Sequence, residues 1–127
     1  MNLLKIIEKN IKYFIILLYN MISKIDFFYA DWCKPCQRMT PQKEKLIEYC
    51  KKNNITLNLH KAPADIDKRE EFRQFMLSFD FEKIPSLRIT LDCGVYKTYA
   101  DMNESKWEKL FNNLKYYHDD IEDDDDF

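Results

Sequence analysis

The chain has 127 residues, of which 46% are hydrophobic and 15% aromatic; that is one domain, large enough to bury a single core without disulfide staples. Net charge is -2 but uneven: Asp119 to Phe127 holds seven acids and no base, leaving 15 acidic against 20 basic residues elsewhere. That modest surplus of bases comes with no nucleic-acid-binding motif, so nucleic-acid recognition is excluded as a reading.

Residues 1–23 form a first segment. Leu3, Ile7, Ile11, Phe14, Leu18 and Met21 recur at helical spacing with Lys5, Glu8, Lys9 and Lys12 opposite, which predicts an amphipathic helix covering one face of a sheet. A second reading rests on Tyr13 to Ser23, an uncharged run of eleven residues. It is shorter than the roughly 20 residues of a membrane span but fits a signal or anchor region. No small-residue cleavage site precedes Ile25.

Residues 24–30 read as a short central strand, with Ile25, Phe27 and Tyr29 on one face and Asp26 and Phe28 on the other. The strand runs into Phe28-Tyr29-Ala30-Asp31-Trp32-Cys33-Lys34-Pro35-Cys36, and a helix is predicted from Pro35 to about Lys52. Cys33 then stands at a helix N-terminus, where unpaired N–H groups and the positive helix end favour a thiolate nucleophile. Cys36 follows one turn later, close enough to bridge to Cys33 and to release a substrate bound there.

This segment resembles the active site of the thioredoxin family. Pro41, five residues after Cys36, matches the family's helix-kinking proline, and Ile84-Pro85-Ser86 resembles its cis-proline loop. The resemblance covers roughly residues 24–117. It implies an α/β thioredoxin fold, a central mixed sheet flanked by helices, and a thiol-disulfide oxidoreductase with Cys33 as nucleophile and Cys36 as resolving thiol. It also implies tuning of the pair by Trp32, Lys34 and Pro35, and substrate binding along the backbone of Ile84 and Pro85. No cofactor is implied beyond the redox-active Cys33–Cys36 disulfide. The implied partners are disulfide-containing proteins and, for recycling, a reductase or glutathione, and the chain is expected to act as a monomer; the absence of paired structural cysteines and of a clear signal peptide points to the cytoplasm.

Two departures from the family qualify this. The position where many thioredoxins bury an acid is Phe27 here, and Asp26 is one residue out of register, so it faces away from the cysteines unless the strand is bulged. Water or a neighbouring group is then expected to take the Cys36 proton, with slower resolution as the consequence. Lys34 replaces a glycine between the cysteines, and its positive charge predicts a weaker reductant than a typical thioredoxin. Lys83, before Ile84, adds positive charge to the same face, which favours acidic partners.

The remaining elements follow from local pattern. Cys36, Met39, Lys43, Leu46, Ile47 and Cys50 line one side of the long helix, so Cys50 reads as a core thiol. Ile55, Leu57 and Leu59 alternate as a strand whose polar face carries His60, a surface or hydrogen-bonded histidine. Asp65 or Asp67 caps a helix carrying Phe72, Phe75, Met76 and Phe79 as a core stripe. Asp92-Cys93-Gly94 joins two strands, Ser86 to Leu91 and Val95 to Ala100, as a hairpin with Cys93 exposed at its tip. Trp107, Leu110, Phe111 and Leu114 mark a last helix starting at Asp101 or Asn103. Residues 118–127 form an acidic tail too polar to join a core, able to solubilise the chain or to compete for its cationic face.

Alternative readings remain at this level. One is a membrane-anchored disulfide oxidase or isomerase held by residues 1–23. Another is a non-enzymatic thioredoxin-fold interaction module, or a zinc site at Cys33 and Cys36, for which no second C-x-x-C or C-x-x-H pair exists.

Overall fold

The computed structural model describes residues 3–4, 7–11 and 21–118, the side chains of 115–118 excepted. The elements in chain order are β1 (Ile22–Tyr29), α1 (Lys34–Arg38), α2 (Thr40–Lys52), β2 (Thr56–Lys61), α3 (Ile66–Leu77), β3 (Ser86–Leu91), β4 (Tyr96–Tyr99) and α4 (Glu104–His118). The strands form one mixed sheet in the order β2-β1-β3-β4, with β1 parallel to β2 and antiparallel to β3. This is the central mixed sheet flanked by helices that the resemblance implied.

β1 begins at Ile22, two residues before the expected boundary, because Ile22 itself pairs with Leu91 of β3. The residues described upstream at positions 3–4 and 7–11 are helical, but Leu3, Ile7 and Ile11 are exposed. In the described residues, therefore, the apolar stripe does not lie on the sheet. Most of the Tyr13 to Ser23 run and the acidic tail beyond His118 lie outside the described residues. No helix among the described residues is long and apolar enough to cross a membrane.

The two faces of β1 feed different clusters, as strand alternation requires. Ile25 and Phe27 join Met39, Leu46 and Cys50 from α1–α2 and Trp107, Leu110 and Leu114 from α4 in the main core. Phe28, on the opposite face, meets Met76 and Phe81, with Phe72 and Phe79 packed against them.

The predicted long helix is two helices, broken at Met39. The cause is Pro41. It lacks the N–H that would reach the Gln37 carbonyl, and the Thr40 hydroxyl donates to that carbonyl instead, at 2.9 Å. Two expected starts hold their caps: Asp65 Oδ1 accepts from the Asp67 N–H at 3.0 Å, and Asn103 Oδ1 accepts from the Lys106 N–H at 2.9 Å. Gly94 takes φ +90° in the β3–β4 turn, a region that side-chain-bearing residues rarely adopt. The second hairpin strand is Tyr96–Tyr99, shorter than predicted by one residue at each end.

Leu110 is fully buried in the main core. Leu110→Ala is expected to cost about 2–5 kcal/mol of stability through lost transfer energy and a residual cavity. Urea unfolding followed by tryptophan fluorescence measures it; a loss below about 1 kcal/mol contradicts the packing described.

Candidate active site

The chain leaves β1 at Tyr29 and turns through Ala30, Asp31 and Trp32 into α1, which makes Cys33 the N-cap residue. Its backbone is extended (φ -86°, ψ 116°), and its Sγ accepts the Cys36 N–H at 3.3 Å. The sulfur thus takes the place of the side-chain oxygen that usually caps a helix. Pro35 sits in the first turn, where a missing N–H leaves no bond unmade. Lys34 is exposed beside it.

Both thiols are buried, Cys33 at 7% exposure and Cys36 at 8%, and neither is in a disulfide. Ala30 and Ala62 pack with them, and Tyr29, Phe72 and Ile84 close the sides. The Ile84–Pro85 peptide is cis. The Ile84 carbonyl oxygen lies 4.0 Å from Cys33 Sγ. Hydrogen bonds fix this loop: Ser86 Oγ donates to the Lys83 carbonyl at 2.6 Å and accepts the Asp101 N–H at 3.0 Å, while the Met102 N–H donates to the Pro85 carbonyl at 2.6 Å.

Trp32, 45% exposed, borders the same groove as Cys33. Its indole N–H donates to the Pro63 carbonyl at 3.3 Å, and the Arg69 guanidinium lies 4.3 Å from its ring centre. The structure therefore brings together every residue singled out in the sequence as a site candidate: Trp32, Cys33, Lys34, Pro35, Cys36, Ile84 and Pro85. Arg69 is an addition. Its spacing in the sequence carries no signal, since only the packing of α3 beside the β1–α1 turn places it there.

Comparison with known proteins agrees with this geometry. A sequence model of the thioredoxin family, described as Thioredoxin, matches residues 14–116. The chain belongs to the thioredoxin family. It is 32% identical over 77 residues to a protein disulfide-isomerase of Ricinus communis, matching 58% of this chain and only 15% of that protein. Among solved structures it is similar to the exposed lipoprotein thioredoxin Etrx1 of Streptococcus pneumoniae, with TM-score 0.55, 12% identity and coverage of 78% of this chain and 87% of the other. It is also similar to a thioredoxin of Fasciola hepatica, with TM-score 0.52, 19% identity and coverage of 85% and 94%. At these identities the structural likeness speaks for the fold.

Within this thioredoxin-family frame the missing acid is visible. β1 does carry an irregularity, between Ile22 and Lys24, but from Lys24 to Phe28 its pairing with β3 is regular. Asp26 therefore stays on the face opposite Phe27, where its Oδ1 meets His60 Nε2 at 2.8 Å and accepts from Asn58 Nδ2 at 3.1 Å. His60 is thus the hydrogen-bonded histidine of the two forms considered. Phe27 fills the acid's position with a ring stacked on Tyr29. Among the described residues no carboxylate hydrogen-bonds either active-site thiol, and no group of three His, Cys, Asp or Glu side chains is placed to hold a metal ion.

Burial pushes the Cys36 thiol up to about 12, with the neighbouring Cys33 sulfur adding to the rise. Burial alone pushes Cys50 up to about 11, consistent with a core thiol. A raised thiol holds little thiolate at neutral pH, and the thiolate fraction grows with pH below that value. Once Cys33 is tied in a mixed disulfide, burial, the largest cause, persists. Single-turnover release of substrate from that mixed disulfide is expected to accelerate about tenfold per pH unit between about pH 7 and 9. A rate independent of pH in that window, read by stopped-flow tryptophan fluorescence, would mean that an internal base serves Cys36.

Proposed function

We propose that this chain is a protein thiol-disulfide oxidoreductase working through Cys33 and Cys36. The observation that carries the reading is the pair of thiols one helical turn apart, with Cys33 Sγ capping α1 and the Ile84 carbonyl beside it. Thioredoxin-fold relatives are thiol-disulfide oxidoreductases, and family membership supports the same chemistry here.

In the reducing direction, the Cys33 thiolate attacks one sulfur of a substrate disulfide. A Cys33–substrate S–S bond forms and the substrate's other sulfur leaves as a thiolate, which takes up a proton. Cys36 then gives its proton to water and attacks Cys33 Sγ. The mixed disulfide breaks, the second substrate thiolate leaves, and Cys33–Cys36 becomes the disulfide. Two electrons have passed to the substrate. A reductase or glutathione restores the dithiol. The oxidising direction runs the same steps in reverse; in exchange, another substrate thiolate attacks the substrate sulfur of the mixed disulfide, a new substrate disulfide forms and Cys33 leaves as the thiolate.

Each positioning group has a part. Trp32 borders the groove beside Cys33, Pro35 holds the first turn of α1, and the Ile84 and Pro85 backbone offers an edge on which an extended substrate segment pairs, as strands do. Lys34 places a positive charge beside the site, raising the potential relative to a chain with glycine there.

Reduction of insulin by dithiothreitol in the presence of the full chain tests the reading. Turnover is expected from the native chain, and Cys36→Ser is expected to lower it at least about 100-fold while trapping mixed disulfide on Cys33. Equal turnover by the two proteins refutes the dithiol mechanism. Asp26→Asn is expected to leave the pH-dependent release rate within about twofold, because Asp26 faces the other side of the sheet. A loss of tenfold or more with stability retained would make Asp26 the proton acceptor.

A further inference from the structure

Cys33 opens onto a groove of about 550 Å³ between the start of α1, α3 and the loop before Pro85. Its floor is apolar: Ala62, Phe72, Met76 and Ile84 lie along it, next to Cys33. Its rim is cationic. Lys34 borders one side, Arg69 and Arg73 the α3 side, and Lys83 the loop side, against a single carboxylate, Glu82. The local balance of +3 contrasts with the chain's overall -2.

The cations are held in place to different degrees. Arg69 is half-buried, stacked on Trp32 at 4.3 Å with its Nη2 donating to the Ala64 carbonyl at 3.3 Å. Its Nε is buried and meets no protein acceptor. Arg73, one turn further along α3, makes a 3.3 Å contact with Glu70 in which both side chains are 65% exposed. So open an ion pair is weak, and a ligand carboxylate can replace it. The helical i, i+4 spacing puts both guanidinium groups on the same side of the groove, and Phe72 and Met76 repeat that spacing beneath them.

Resting on the oxidoreductase reading above, we propose the substrate class: protein segments in which the reactive cysteine lies next to an apolar residue and is flanked by Asp or Glu. A cysteine joined to Cys33 and running along Ile84 lays its neighbouring residues over the Phe72–Met76 floor, within the rim of four cations. Charge complementarity then selects the segment and sets its docking rate. A protein segment fits better than glutathione, which carries carboxylates but no apolar side chain to cover the floor.

The test uses the full chain carrying Cys33→Ser and Cys36→Ser, with Trp32 fluorescence reporting the binding of extended peptides that have Ser in place of Cys. Three peptides share one apolar neighbour and differ only in having Glu, Gln or Lys at the flanking positions. The Glu peptide is expected to bind about fivefold more tightly than the Gln peptide, and more than that over the Lys peptide. Arg73→Gln, which leaves the Trp32 stack in place, is expected to remove about half of that preference on a logarithmic scale, and Arg69→Gln with Arg73→Gln to abolish it. Equal binding of the three peptides, absence of binding by all of them, or glutathione binding as tightly as the Glu peptide overturns the assignment. So does a Glu preference that both arginine substitutions leave intact. A preference that appears only when Asp123, Asp124, Asp125 and Asp126 are changed to Asn overturns it too, since the chain's own acidic end then fills the groove. Turnover of the matching disulfide peptides by the native chain separates the two readings. Equal turnover of all three keeps the oxidoreductase and discards the substrate class; binding preference with no turnover discards the oxidoreductase, and with it the substrate class, and keeps only the groove's selectivity for acidic segments.

Discussion

β1 is covered on both faces, and the arrangement of the molecule depends on that. Ile25 and Phe27 face the α2 and α4 side while Asp26 and Phe28 face the α3 side, and all four are buried. A carboxylate in such a place is costly unless it is hydrogen-bonded. Its partners come from β2, where Asn58 and His60 lie two residues apart and so share a face. In the parallel register Asn58 sits opposite Asp26 and His60 opposite Phe28, which puts both donors beside one carboxylate oxygen. Slipping β2 by one residue would set Asp26 among Leu57 and Leu59 with nothing to bond. A slipped register would therefore leave a buried carboxylate without these partners. With β1 fixed between β2 and β3, its end delivers Cys33 to the start of α1.

What was legible in the sequence is what local chemistry dictates. The N-cap position of Cys33, the turn between the two thiols, the caps at Asp65 and Asn103 and the hairpin at Gly94 all follow from neighbours within a few residues. The break at Met39 is also local; Pro41 signalled a kink, and the missed step was that its absent N–H frees the Gln37 carbonyl for Thr40. The Asp26–His60 contact was not legible, because it spans 34 positions and exists only once the β1–β2 register is set. Strand alternation in the sequence puts His60 on a polar face. That face is in fact covered, with the imidazole 4.6 Å from the Phe28 ring centre and 5.1 Å from that of Phe75. Arg69 carries no signal in the sequence for the same reason: its partner Trp32 belongs to another part of the fold.

The two thiols are almost equally buried, yet their surroundings divide the work between them. Cys33 Sγ takes the N–H that α1 leaves unpaired; Cys36 has burial and the Cys33 sulfur acting on it and, among the described residues, no carboxylate hydrogen-bonded to it. The Phe27 position explains the second half. An acid there would sit in the main core and require a partner of its own, whereas Phe27 stacks on Tyr29 and tilts against Trp107, both with ring centres at 5.6 Å. Exchanging the acid for a ring strengthens apolar packing and removes a proton acceptor in one step. Stability and proton transfer, joined at one residue when an acid stands there, are separated in this chain: Phe27 serves the core and offers Cys36 no carboxylate.

The same separation holds for charge. The chain as a whole is acidic, but its field at the thiols is set by what lies within a Debye length, about 8–10 Å at physiological salt. Lys34 and Lys83 are there because they are sequence neighbours of Cys33 and Ile84, the two residues that meet at the site. Arg69 and Arg73 are there because α3 packs Phe72 and Met76 toward the sheet, and their helical neighbours must then border the opening. The apolar stripe that anchors α3 thus also fixes where its arginines stand. Core packing on one side of that helix and electrostatic selection on its margin come from one placement, so a change that rotates α3 would disturb both together.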